Sequence, residues 1–174
     1  MATFAAAFTV GQSADCTTLT LTDTSDYLTN SESYTKASFS DREFKIYNSA
    51  DELIETLPMF DGDSDVTYKL TQDEWLKVEL ELTLVGSLSP DYTATHSVLS
   101  TCFLKLCFSE LVAETECGCG GSGNSCNCDS TNNDKIRLLE YIKAAEIFSE
   151  YSNPVLAQKQ LDAGTALCNA NENN

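Results

Sequence analysis

The chain has 174 residues, 42% of them hydrophobic, which suffices for one domain or two small ones with a real core. Ten Lys and Arg stand against 27 Asp and Glu, a formal net charge of −17. Such a surface repels phosphate backbones and anionic lipid, so the composition excludes nucleic-acid binding and membrane adsorption and points to protein or cation partners.

The N-terminal stretch MATFAAAFTVGQ is apolar but has no basic flank, and polar residues interrupt it by Gly11, which argues against a secretory leader. No apolar run approaches the roughly 18 residues a membrane span requires. On this reading the chain is made in the cytosol, where thiols stay reduced. Phe4 to Val10 reads as a first strand, with Gly11 to Asp15 as its turn. Thr18 to Thr22 alternates Thr and Leu, and Phe39 to Tyr47 sets Phe44 and Ile46 on either side of Lys45. Asn48 to Asp51 is a turn leading into a strand over Glu52 to Leu57, and Val66 to Leu70 is a further short strand. The clearest signal is Leu76 to Leu84: Leu76, Val78, Leu80, Leu82 and Leu84 face one way, and Lys77, Glu79, Glu81 and Thr83 face the other. Roughly six or seven short strands with polar turns predict an antiparallel β-sandwich over residues 1–88.

The pattern turns helical at Ser89-Pro90, where Ser followed by Pro is a helix-start signal. Val98, Leu99, Cys102, Phe103, Leu106 and Cys107 recur at three- and four-residue spacing, predicting a helix from about Asp91 to Glu114. A second helix is expected from Asn133-Asp134 with an apolar stripe of Ile136, Leu139, Ile142, Ala145 and Phe148. A third follows Asn153-Pro154, carries Val155, Leu156, Leu161 and Leu167, and ends near Cys168. The expected fold class is therefore α+β: the sandwich, then a helical hairpin or three-helix unit over residues 89–174.

Residues 116–133 connect the first two helices and hold the segment CGCGGSGNSCNC. Cys117, Cys119, Cys126 and Cys128 supply four thiolates, the donor set for a tetrahedral structural Zn²⁺. The glycines between them permit the tight turns such a wrap needs. The usual structural spacing is Cys-x2-Cys rather than Cys-x-Cys, so disulfides across the loop and free thiols stay open beside the metal. In each case the segment closes a turn and does no catalysis. Glu114, Glu116 and Asp129 would raise the thiol pKa values, which disfavours redox chemistry. Cys102, Cys107 and Cys168 read as small buried hydrophobes, and Cys16 has no evident partner. His96, the single histidine, has no motif partner. Asp61, Asp63 and Asp65 alternate as in a calcium loop but lack the closing Glu, so they read as a solvated turn. Trp75 reads as a core or interface anchor. Nucleotide-binding, nucleophile-elbow and zinc-protease motifs are absent, so no enzyme is expected.

Three stretches carry a resemblance: residues 8–15 running into 19–27, FSDREFKI at 39–46, and DEWLKVEL at 73–80. In this order they resemble virion structural proteins of tailed bacteriophages that infect Bacteroidota, including the crAss-like phages. The resemblance implies a β-sandwich subunit of a neck or tail ring between portal and tail tip. Its partners would be copies of itself and neighbouring portal, neck and tail proteins, and its place the virion after assembly in the host cytoplasm. The alternative is a metal-stabilised soluble adaptor module that binds other proteins.

Overall fold

The computed structural model describes residues 4–25, 34–60, 62–113 and 128–172. It forms two compact units, one of Met1–Thr71 with Leu76–Val98, the other of Gln72–Trp75 with Leu99–Asn174.

In the first unit seven strands are seen among the described residues: β1 (Phe8–Gln12), β2 (Thr18–Asp23), β3 (Phe39–Tyr47), β4 (Leu53–Pro58), β5 (Asp65–Lys69), β6 (Trp75–Leu84) and β7 (Tyr92–Leu99). They make two antiparallel sheets, one ordered β1-β2-β5 and the other β4-β3-β6-β7. The expected α+β order, sheets before helices, is what the chain adopts. Strand β6 buries Leu76, Val78, Leu80 and Leu82 as its alternation dictates. The register sets Phe44 of β3 beside Leu80, and Ile46 beside Val78. Leu19 and Leu21 of β2 are buried from the other sheet, and the Phe8 ring meets the Phe44 ring edge-on at 5.1 Å. Each such side chain contributes about 1.5–3 kcal/mol on burial. One buried ion pair joins the sheets, Arg42 Nη2 to Asp23 Oδ2 at 3.1 Å, and the same nitrogen donates to the Asp63 carbonyl.

Strand β7 corrects the sequence reading. Residues 92–99 are a strand of the first unit rather than the opening of a helix, so the change from sheet to helix falls near Ser100 and not at Ser89-Pro90. The reason is a hairpin. Gly86 takes φ +94°, and the Asp91 carboxylate accepts from the Leu84 N–H at 2.8 Å and the Ser87 hydroxyl at 3.0 Å. Asp91 thus clamps the end of β6 to the start of β7, and Pro90 serves a turn.

The second unit holds α1 (Cys102–Ala113), α2 (Cys128–Glu150) and α3 (Pro154–Glu172). The start of α1 is capped from far away in sequence. The buried Asp73 carboxylate accepts the Ser100 hydroxyl at 2.8 Å and the amides of Phe103 at 3.0 Å and Leu104 at 2.7 Å. Two orphan donors of the first turn are satisfied this way, with a negative charge at the positive end of the helix. Helix α3 starts as expected, with Asn153 Oδ1 accepting the Leu156 N–H and Pro154 first in the helix.

The helical core gathers Leu104, Leu138, Ile142, Ala145, Leu161 and Cys168. Ile142 and Ala145 of the expected α2 stripe are in this core, but Ile136 and Leu139 face solvent and Leu138 is buried in their place. Gly164 lets the helices approach, because a Cβ there would sit 3.0 and 3.1 Å from the two Leu104 methyls.

Candidate interaction surfaces

Of the predicted metal ligands, Cys117, Cys119 and Cys126 lie outside the described residues, and Cys128 is the first residue of α2. Most of the connection over 116–133 lies there too. Among the described residues no group of three or more His, Cys, Asp or Glu is arranged to hold a metal ion. The other cysteines depart from the reading of isolated buried thiols. Cys107 and Cys168 are joined as a disulfide with Cα atoms 6.2 Å apart, tying α1 to the C-terminal part of α3. Cys16 and Cys102 are each disulfide-bonded as well. A sequence reading that placed every thiol in a reducing compartment had no reason to pair them.

His96 lies on β7, exposed, with its ring edge-on to Phe8 at 4.5 Å. It packs where edge strand β1 of one sheet meets edge strand β7 of the other. Asp63 shapes a turn, as expected: its carboxylate accepts the Phe60 N–H at 3.0 Å and its carbonyl takes Lys36 Nζ at 2.7 Å. Asp65 starts β5, and Asp61 lies outside the described residues. Trp75 anchors within the second unit: its backbone N–H donates to Gln158 Oε1 at 2.9 Å and its indole N–H to the Ser149 hydroxyl at 3.2 Å.

Among the described residues, three outward-facing surfaces stand out. The first is strand β4, which among the described residues pairs only with β3 and so is an edge of its sheet. An edge strand presents backbone donors and acceptors ready for another strand. Here Leu53 and Ile54 are 52% and 45% exposed, and Phe60 just beyond is 71% exposed. Glu55 and Pro58 lie on the same strand, both devices that restrain indiscriminate pairing. A register shift between Ile46 and Tyr47 makes Leu53 the partner of Tyr47 and leaves Ile54 bulged out of the ladder.

The second surface is the outer face of the same sheet, a ladder of charges. Glu43 and Glu81 are direct cross-strand partners, a repulsive pairing that Lys45 relieves at 3.4 Å from one and 2.5 Å from the other. Hydrogen bonding to Glu81 raises the Lys45 pKa above 10.5. Lys77 pairs with Asp51, which raises its pKa as well, and sits 4.1 Å above the centre of the Tyr47 ring. The cations of this face are thus already engaged with neighbouring carboxylates.

The third surface is on α2. Opposite its buried line of Leu138, Ile142 and Ala145 lie Ile136, Leu139 and Ile147, with Tyr151 directly after the helix; they are 57%, 37%, 51% and 79% exposed. Sequence periodicity gave one stripe on this helix, Ile136, Leu139, Ile142, Ala145 and Phe148, which mixes buried and exposed residues. Nothing local decides which set turns inward.

No family model matches the sequence, and no similar protein was found among curated proteins or solved structures.

Proposed function

We propose that this chain is a non-enzymatic structural subunit that works by being assembled, as one copy in a ring of the neck or tail of a tailed-phage virion. The observation that carries the reading is β4, which among the described residues is an edge of its sheet and bears Leu53 and Ile54 exposed. A cyclic ring joins two different faces of each subunit, and an edge strand is one such face. The three resembling stretches lie along β1, β2, β3 and β6, the strands that build this sandwich. The net charge of −17 suits a channel wall that must not grip passing DNA, and it calls for basic neighbours elsewhere in the particle. The disulfides fit a protein whose working life is outside the cell better than a cytosolic adaptor, which stays in a reducing medium. In the same reading the segment with Cys117, Cys119, Cys126 and Cys128 closes the connection between α1 and α2, with Zn²⁺ as its structural ion.

Electron microscopy and mass photometry of the purified chain, together with proteomics of purified particles, test this. Closed rings, or a fixed multiple copy number in virions, are expected. A lone monomer that is missing from particles refutes it. Ile54→Lys should abolish ring closure while leaving the melting temperature of the monomer unchanged.

A further inference from the structure

We infer that the Cys107–Cys168 disulfide is a redox latch: closed, it holds the body of α1 on α3, and opened, it frees α1 from its second turn onward while α2 and α3 stay together. The inference rests on the second unit alone and holds wherever the chain works. Helix α1 meets α3 at two points one turn apart. The first is the buried Leu104, whose methyls lie 3.0 and 3.1 Å from where a Cβ on Gly164 would be. The second is the disulfide, three residues on in α1 and four on in α3, with Cα atoms 6.2 Å apart. The first turn of α1 is also held by the Asp73 carboxylate and by the bond of Cys102. Beyond that turn, among the described residues, the holds are the disulfide and the partly buried Phe108, while Leu106 and Glu110 are exposed. A cross-link of this kind favours the closed form by about a hundredfold or more. Without it, residues 106–113 are too short a stretch to stay helical in water unaided.

Helices α2 and α3 are joined independently of α1. Leu138, Ile142 and Ala145 of the one and Ala157 and Leu161 of the other are buried, and Trp75 donates from its indole to Ser149 of α2 and from its backbone to Gln158 of α3. The two cysteines of the latch are not equally open. Cys168 is 7% exposed within the core, whereas Cys107 is partly buried at its margin. A thiolate from solvent therefore attacks Cys107 Sγ. The S–S bond breaks as a mixed disulfide forms, and Cys168 leaves as thiolate and takes a proton from water. A second reductant thiolate attacks the reductant's own sulfur in that mixed disulfide and expels Cys107. Two reductant thiols thus become one disulfide, and the latch becomes two thiols. A small-molecule disulfide closes the latch by the same steps in reverse. In a reducing medium the second half of α1 is loose and the core margin at Cys168 is open; in an oxidising medium both are shut.

Hydrogen–deuterium exchange of the full chain tests this, comparing the parent with Cys107→Ser combined with Cys168→Ala, which removes this bond alone. Amides 106–110 should exchange at least about tenfold faster in the variant, and those of α2, α3 and β6 should stay within about threefold. Unchanged protection of α1 overturns the inference. So does an equal loss over all three helices, which marks the bond as a staple of the whole unit. Brief exposure of the parent to 2-mercaptoethanol, acid quenching and peptide mapping read the direction of attack. Adduct on Cys107 should exceed that on Cys168 by at least about fivefold. Equal or reversed labelling overturns the assignment of Cys107 as the sulfur attacked.

Discussion

Replacing Asp73 with Ala should be among the most damaging single changes in the helical unit. Its carboxylate is 2% exposed and accepts three hydrogen bonds, from the Ser100 hydroxyl and the amides of Phe103 and Leu104, at 2.7–3.0 Å. Hydrogen bonds to a charged group are each worth about 1.5–3 kcal/mol, so three give a gross figure of roughly 4–9 kcal/mol. The desolvation of a buried carboxylate, several kcal/mol, is recovered when the charge is removed. Against that, the Leu104 amide is left without an acceptor in a place that water does not reach, at about 1–3 kcal/mol. A net loss of about 3 kcal/mol follows. Asp73→Asn keeps one acceptor oxygen and should lose about half as much; Ser100→Ala should lose about 1 kcal/mol. Urea unfolding followed by helical circular dichroism measures all three. A loss below about 1 kcal/mol for Asp73→Ala, or a loss for Ser100→Ala equal to it, would refute the capping account.

Cys107→Ser should cost about 4 kcal/mol, from the chain entropy of closing a separation of 61 residues, and a thermal melt of the variant against the parent measures it; reduction of the parent, which also breaks the bonds of Cys16 and Cys102, should cost more. Asp23→Ala takes the buried carboxylate from the Arg42 guanidinium and should cost about 3–5 kcal/mol, whereas Arg42→Met with Asp23→Leu together should cost far less; chemical denaturation of the single and double variants compares them. The raised Lys45 pKa means that its pairing with Glu81 stabilises the fold fully below pH 10.5 and fades as the pH climbs through the raised value; Lys45→Met should remove that alkaline loss from the stability profile. Chelator-free protein should carry about one zinc per chain, with Cys117→Ser and Cys126→Ser together releasing it; no zinc, and no free thiols in the denatured unreduced chain, would assign those cysteines to disulfides instead.

Much of this fold is legible residue by residue. The alternation of Leu76 to Leu84 has one solution, because a period of two places Leu76, Val78, Leu80 and Leu82 on the same face of any strand they form, and the core must cover that face. The strands at 18–23 and 39–47 and the start of α3 at Asn153-Pro154 are set by the same local rules. Three features depend on residues distant in sequence. The segment at 92–99 is a strand because it lies along β6 and Asp91 clamps the hairpin, although Ser89-Pro90 is by itself a fair helix start. The start of α1 is decided by Asp73, nearly thirty residues upstream, which no local capping signal can reveal. The inward face of α2 is decided by Leu104, Leu161 and Gly164, which take up Leu138 and leave Ile136 and Leu139 outside. Periodicity states that a helix has an apolar face; only the neighbours that remove it from water determine which residues of the helix form the core and which stay exposed.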